Sequence, residues 1–524
     1  MVMGSVRDIR NFLKKMPYTV RVGNIPGGLS EFITIQAAIN YCATQTPTAA
    51  NRWMVQVWPG TYDEIITMAQ YVDVVGMEKD SVIFPVDSDT AVTMANDTRI
   101  ANLTINVLAD AASAYGIQIN DASCRIEDID MYLERNDSAE SVGIIEDADN
   151  TARNIYIRNV RIRWDEVANT NTHGLSIRQA NKTVYLEESY IGGSDYGVAI
   201  GTSGGGAVAS TIYATLSHFE ATSAVARGVF CNGGTIRLNT CNITGVDHSG
   251  GGVYRENDGI VTYKTGPREY EVWVGMSVQD AIDAAAAETT TPAAAAPYTV
   301  LIHPGIYDEA ITCSSWVNLR GVGPRGSVII YQNDNDYVII LAVNIQLQNF
   351  TIRLGTLSAW RSLVGDNGVA CTVLIEDVDF EVVAPGAFEF RCIVQGAASN
   401  FTIRRCYAVI GGTGVNSCIL TVVGTGTVSF QDCDWTLNNT NGFLLMPWSE
   451  ATTINSKNTQ WKGTAGFCSS NTCPEPASIG FPLTATCELA NAACQFHFCT
   501  CQGASPSQGD WSTILPVAER FIFL

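Results

Sequence analysis

Four pairs of carboxylates are the first residues in this sequence that could do chemistry: Asp128 with Asp130, Glu187 with Glu188, Asp377 with Asp379, and Asp432 with Asp434. Two such groups held about 5–10 Å apart can act as acid and base, or acid and nucleophile, at a glycosidic bond. His173, in Thr172-His-Gly-Leu-Ser-Ile-Arg178, could move a proton near neutral pH. Trp164, Tyr190, Tyr196 and Trp360 could stack on sugar rings if they face outward. Cys468, Cys473, Cys487, Cys494, Cys499 and Cys501 crowd the end of the chain, and Cys494, His497, Cys499 and Cys501 have the chemistry to hold a metal. Their spacing matches no common zinc signature, so they read as disulfides or reduced structural thiols, with redox state and pairing open.

The carboxylate pairs share a context that argues against catalysis. Each lies in a recurring pattern of apolar, any, polar, apolar, any, apolar residues. It appears as Ile100-Ala-Asn-Leu-Thr-Ile105, Ile126-Glu-Asp-Ile-Asp-Met131, Ile157-Arg-Asn-Val-Arg-Ile162, Leu186-Glu-Glu-Ser-Tyr-Ile191 and Leu238-Asn-Thr-Cys-Asn-Ile243, with Tyr213-Ala-Thr-Leu216 filling the gap less cleanly. It returns as Leu347-Gln-Asn-Phe-Thr-Ile352, Ile375-Glu-Asp-Val-Asp-Phe380, Ile403-Arg-Arg-Cys406 and Phe430-Gln-Asp-Cys-Asp-Trp435. A repeat of this length, built from short strands and polar corners, predicts coils of a parallel β-helix. All three apolar side chains point inward if the polar third residue turns a corner, and Asn or Asp tolerates the left-handed backbone needed there. One acid of each pair then turns the corner and the other faces solvent, so no catalytic, cofactor-binding or metal-binding residue is nominated. Cys406 with Cys433, and Cys392 with Cys418, fall at matching places in successive repeats and read as small residues stacked in the core.

A longer duplication organises the repeats. Val55-Gln-Val-Trp-Pro-Gly-Thr-Tyr-Asp-Glu64 is echoed by Val300-Leu-Ile-His-Pro-Gly-Ile-Tyr-Asp-Glu309, each after an Ala-rich helical segment, Ile35–Thr44 and Val278–Glu288. The expected fold is all-β: two tandem right-handed parallel β-helix domains, each opened by a short capping helix, plus a small Cys-rich C-terminal region. The expected boundaries are 1–18 for an N-terminal arm or cap, 19–266 and 267–464 for the β-helices, and 465–524 for the Cys-rich region, where the repeat fails. The Pro- and Ala-rich stretch 289–297 corresponds to 44–51 in the first copy and is expected to be a loop inside the second domain.

With 524 residues, 46% hydrophobic and 16% charged, the chain can build a large core. Its formal net charge of −21 disfavours nucleic acid and anionic membranes as partners. No segment supplies the run of about 20 apolar residues needed for a membrane span. The start, with Arg7, Arg10, Lys14 and Lys15, lacks the apolar stretch of an export signal.

Two segments in each copy carry a family resemblance. Thr34-Ile-Gln-Ala-Ala-Ile39 with Pro59-Gly-Thr-Tyr-Asp-Glu64 and Val72-Asp-Val-Val-Gly76, and Val278-Gln-Asp-Ala-Ile282 with Pro304-Gly-Ile-Tyr-Asp-Glu309 and Val317-Asn-Leu-Arg-Gly321, resemble the opening of pectinesterases and the wider pectate-lyase-like β-helix superfamily. The resemblance covers about the first 60 residues of each copy and implies the scaffold. The later pectinesterase motif with its catalytic aspartates is absent. Thr172-His-Gly-Leu-Ser-Ile-Arg178 resembles a polygalacturonase segment, but that family's aspartates and its Arg-Ile-Lys element do not accompany it, so His173 is expected to be a loop histidine. By analogy with phage tailspikes, the leading expectation is a structural or adhesive virion protein: tailspike, fibre or capsid decoration. It would be a homotrimer assembled in the host cytoplasm, contact other virion proteins and bind host-surface polysaccharide. A polysaccharide-degrading or de-esterifying enzyme is the alternative, and a cell-surface adhesin a third.

Overall fold

The computed structural model describes residues 18–23, 30–85, 90–109, 113–120, 122–135, 140–147, 150–164, 172–202, 205–222, 227–244, 253–256, 259–332, 337–356, 361–384, 390–412, 418–422, 425–439, 443–447, 452–463 and 466–468, with short strands at 494–497, 500–502 and 522–523. The expected N-terminal arm, apart from Tyr18, lies outside them, as do Trp360, Cys473, Cys487 and Cys499. The chain divides into two compact units, Met1–Thr265 and Gly266–Leu524.

In the first unit every coil contributes to three parallel ladders. The first ladder runs through Trp53–Val57, Val72–Gly76, the opening halves of Thr98–Ala109 and Cys124–Arg135, then Arg153–Arg158, Lys182–Glu187, Thr211–Thr215 and Thr235–Asn239. The second follows the corner, through Arg161–Trp164, Tyr190–Gly193, His218–Ala221 and Asn242–Thr244. The third contains Ala114–Ile119, Ser141–Glu146, Thr172–Ile177, Tyr196–Ile200 and Arg227–Asn232. The second unit repeats the scheme. Inward residues stack in rows: Ile100, Ile126, Ile157, Leu186, Ala214 and Leu238 are all buried. A branched aliphatic side chain buried this way contributes about 1.5–3 kcal/mol.

The expected corner is present. Asn102, Asp128, Asn159, Asn349, Asp377 and Asp432 have φ between 50° and 59°, in the left-handed region. Glu188, Leu216, Thr240, Arg405 and Asn458 adopt the same conformation. Tyr213 pairs with Tyr185 and Ala214 with Leu186, so the irregular repeat starts at Ala214, not Tyr213, and Leu216 is its corner. Polar corners are tied to the coil before: Asn159 Nδ2 donates to Asp128 Oδ1 at 2.7 Å, and Arg405 donates to both oxygens of Asp377 at 2.8 and 2.7 Å. At Gly76 a Cβ would stand 2.0 Å from the Asn102 carbonyl oxygen, and at Gly321 1.9 Å from that of Asn349. The glycine ending each Val-x-x-x-Gly segment is therefore required by close approach of the next coil.

The duplicated Pro-Gly-x-Tyr-Asp-Glu stretch serves a helix. Helix α1 spans Ile35–Thr44 and α2 spans Val278–Ala286. Glu64 accepts from the backbone N–H groups of Ile35 and Gln36 at 2.7 and 2.9 Å, and Glu309 from those of Val278 and Gln279 at 2.7 and 3.2 Å. These are donors that a helix start leaves unpaired. Thr34 and Ser277 cap the next turn. Each helix buries one apolar face, Ile35, Ala38, Ile39 and Cys42 or Val278, Ala281, Ile282 and Ala285, against the opening strands of its own unit. The 289–297 stretch is a loop closed by an Ala293–Ala296 bridge, matching Thr48–Asn51 in the first copy.

Two expectations change. Strand pairing continues past the expected limit at residue 464: Cys494–His497 pairs with Thr452–Lys457, and Thr500–Gln502 with Gln460–Gly463. The apolar signal is weak there because Cys and Phe replace the branched aliphatics. Cys406 and Cys433 do stack in step, both buried, between the pairs Arg404–Gln431 and Tyr407–Asp434. Cys418, however, stands opposite Arg391, so Cys392 and Cys418 are buried neighbours one place out of register.

Candidate functional site

On the first ladder of the first unit, residues alternate between core and exterior. Ile155 and Ile157 point in, so Tyr156 points out; the same holds for Tyr185 and Tyr213 in the next two coils. The three rings stack nearly parallel, 5.0 and 5.5 Å apart between centroids with interplanar angles of 11°. A guanidinium closes each end: Arg125 lies 5.1 Å from the Tyr156 ring centre and Arg237 5.6 Å from that of Tyr213. Register makes these five residues one row, Arg125–Tyr156–Tyr185–Tyr213–Arg237.

Such stacking stabilises the sheet. It also covers the ring faces, leaving edges and hydroxyls outward, with the tyrosines still 36–39% exposed. Alongside runs a second polar row on the same face, Asn154–Thr183–Thr211–Thr235. The strip thus offers hydroxyl and amide groups at the strand spacing of about 4.8 Å.

The Arg125 end opens into a cavity of about 580 Å³ that is lined by Arg52, Asp73, Arg99, Arg125, Glu127 and Tyr156 among others. Two of its arginines are engaged: Arg52 Nε donates to Asp73 Oδ2 at 3.1 Å, and Arg99 Nε to Glu127 Oε2 at 2.7 Å. The bond to Asp73 holds the Arg52 guanidinium above its ordinary pKa. Arg125 Nη1 is 3.9 Å from Glu127 Oε1, and its side chain is 60% exposed.

A different chemistry sits on the third ladder. His173 is a buried strand residue within Thr172–Ile177, not the expected loop histidine. Its Nδ1 faces Glu140 Oε1 at 3.4 Å and its Nε2 faces Asp195 Oδ2 at 3.6 Å, yet neither nitrogen has a hydrogen-bond partner among the described residues. Arg178 pairs with Glu140, and the His173 ring packs 4.7 Å from Tyr196, which stacks on Phe230. The contacts on either side of the ring place the two carboxylates no more than about 9 Å apart, within the span of an acid/base pair on a glycosidic bond. The imidazole occupies that gap, so a sugar could enter only after the ring moves.

The carboxylate pairs found in the sequence are placed by the coils. Asp128, Glu188, Asp377 and Asp432 are corner residues. Of their partners, Asp130 meets Lys79 at 3.0 Å and Asp379 accepts from Arg325 at 2.9 Å, while Glu187 is exposed. Trp164 and Tyr196 are buried, which removes them as sugar platforms, and Tyr190 is stacked on His218. Sequence reasoning missed Tyr156, Tyr185 and Tyr213, although their spacing keeps step with the coil repeat. Among the described residues, no group of three or more His, Cys, Asp or Glu is arranged to hold a metal.

No family model matches the chain. No curated protein matches it either. Among solved structures it is similar to the tailspike protein gp49 of Acinetobacter baumannii bacteriophage Fri1, a capsular polysaccharide depolymerase, at 11% identity and a TM-score of 0.20; the match covers 96% of this chain and 63% of the tailspike. It is also similar to the PL6 family alginate lyase AlyGC, at 9% identity and a TM-score of 0.19, covering 93% of this chain and 100% of the lyase. A third match is sacteLam55A from Streptomyces sp. SirexAA-E, at 8% identity and a TM-score of 0.17, covering 85% and 90%. The chain spans 63% of the length of the tailspike it matches. Similarities this weak decide nothing about function, and it is the strand pairing of the chain itself, parallel from coil to coil, that makes it a parallel β-helix protein.

Proposed function

We propose that this protein recognises a polysaccharide along the outer face of its first unit, as an adhesive component of a virus particle. The observation that carries the reading is the exposed tyrosine row beside a polar row, opening into the 580 Å³ cavity. An extended glycan lying along the row would meet one coil per sugar, because the strand spacing of about 4.8 Å is close to the rise of one sugar in such a chain. Hydroxyl and amide edges suit sugar hydroxyls, and the cavity is large enough to hold a branch or an end sugar. The placement on a virion, as spike, fibre or decoration, and assembly as a homotrimer rest on the sequence: β-helix coils without the catalytic motifs of the family they resemble, and a distinct Cys-rich end. The division into two β-helix domains, near 266, is part of the same reading.

The cluster of Glu140, His173 and Asp195 favours a second reading, cleavage of the bound glycan. One experiment addresses both. Polysaccharides retained by the immobilised protein are identified, and their length is followed over days with the wild type, Tyr185→Leu, Glu140→Gln and Asp195→Asn. Recognition alone predicts retention weakened about tenfold by Tyr185→Leu, with polymer length unchanged throughout. Shortening that stops in Glu140→Gln or Asp195→Asn favours the enzyme, and full retention by Tyr185→Leu overturns the site.

A further inference from the structure

The tyrosine row ends in a cation on both sides, and those ends are a fixed distance apart. Arg125 and Arg237 are separated by four coil steps, about 19 Å at the strand spacing. Resting on the recognition reading above, we propose that the row selects an acidic polysaccharide whose carboxylate groups recur about every fourth sugar, one acid docking at Arg125 and the next at Arg237.

Local charge supports the assignment. The formal net charge of −21 opposes an acidic ligand at long range, so the contact must be local, and in the cavity Arg52 and Arg99 are each bound to a carboxylate. Arg125 is different, because the carboxylate nearest it, at 3.9 Å, already accepts from Arg99. Arg237 has no carboxylate within ion-pair distance among the described residues, and it is exposed. Each guanidinium lies against a tyrosine ring, an arrangement that limits its motion while leaving an N–H edge for a planar carboxylate. A bidentate guanidinium–carboxylate contact is the strong form of this interaction.

The tyrosine row between the two ends is neutral. Tyr156, Tyr185 and Tyr213 carry no charge, and the neighbouring row is Asn154, Thr183, Thr211 and Thr235. On the other side the same face carries the row Glu127–Arg158–Glu187–Thr215–Asn239, in which Arg158 stands between two carboxylates. An acid on every sugar would therefore set one carboxylate opposite Glu187 and another beside Tyr213 and Thr215, which give it no countercharge. An acid on every fourth sugar leaves Glu187 facing an uncharged sugar.

Four linear polymers test the idea with the full chain: neutral dextran, polygalacturonate with an acid on every sugar, hyaluronan with one on every second, and gellan with one per tetrasaccharide. Affinities are measured by titration calorimetry at two salt concentrations, using fragments long enough to cover five coils. The expected order puts gellan first, at least tenfold tighter than the other three. Arg125→Gln and Arg237→Gln each weaken gellan about tenfold, and the double variant binds gellan and dextran alike with little salt dependence. Arg125→Lys restores part of the affinity, since charge returns without the fork. Thermal melting checks that the variants remain folded. Equal affinity of the wild type for gellan and dextran, or gellan binding unchanged in Arg125→Gln/Arg237→Gln, overturns the charge spacing while the recognition reading stands. Tighter binding of hyaluronan or polygalacturonate than gellan also overturns it. If no polymer binds, or Tyr185→Leu binds all four as well as the wild type, the recognition reading fails and this inference fails with it.

Discussion

His218 shows how a single side chain ties the outer surface to the stability of the coils. It stacks on Tyr190 at 5.0 Å, and its Nδ1 lies 3.0 Å from Asn242 Nδ2. Burial pushes the imidazole below its ordinary value of 6.5. A histidine whose folded pKa is depressed binds protons more readily when unfolded, so its contribution to stability is present at neutral pH and is lost as pH falls below about 6.5. Thermal melts of the wild type between pH 7.5 and 5 should show a steeper loss than those of His218→Gln, and identical slopes would contradict this. At this scale the corners divide into legible and hidden. Asn102, Asp128, Asn159, Asn349, Asp377 and Asp432 are residue types that tolerate a left-handed backbone, so the sequence announces them. Leu216 and Arg405 adopt the same φ without that preference, because coil spacing fixes the place of the corner. Tyr156, Tyr185 and Tyr213 were hidden for another reason. Inside and outside differ only by one residue in a strand, and the motif alone does not mark which aromatics fall on the outer positions.

The elements most clearly written in the sequence are the two helices and the strands that follow them. Thr34-Ile-Gln-Ala-Ala-Ile39 and Pro59-Gly-Thr-Tyr-Asp-Glu64 are distant in the chain, yet Glu64 joins them at the first helical turn. Removing such a carboxylate leaves two backbone donors without their partner, at a cost of about 1–2 kcal/mol. Glu64→Ala and Glu309→Ala should each lower stability by about that amount in chemical denaturation, and Glu→Gln by less, since an amide oxygen still accepts. Equal stability of Glu309→Ala and wild type would show that Ser277 caps α2 alone. The Glu140–His173–Asp195 cluster was not legible at this level. Its members come from three successive coils, and the segment around His173 reads locally as a loop because Gly174 interrupts the apolar alternation.

Across the whole molecule, thiols report on the packing. Among the described residues ten cysteines are buried, and burial pushes Cys42, Cys124 and Cys313 up to about 12. A thiol this reluctant to ionise is a poor nucleophile. Iodoacetamide at pH 8 should therefore leave Cys42, Cys124 and Cys313 unmodified in the native protein and label them in denaturant, as read by mass spectrometry of peptides; rapid native labelling of Cys124 or Cys313 would contradict the packing. The duplication at this scale was plain from Val55–Glu64 and Val300–Glu309, whereas the coils after residue 464 were not, since Cys494-Gln-Phe-His497 carries little of the aliphatic pattern. The repeated cap has a consequence for how such a chain comes to be folded. A solenoid gains its order by adding coils to an existing one, and the slow step is the first. With Glu64 and Glu309 each sealing a helix onto its own opening strands, the polypeptide carries two nuclei, so the later half can begin to coil as it leaves the ribosome without waiting on the earlier half as a template.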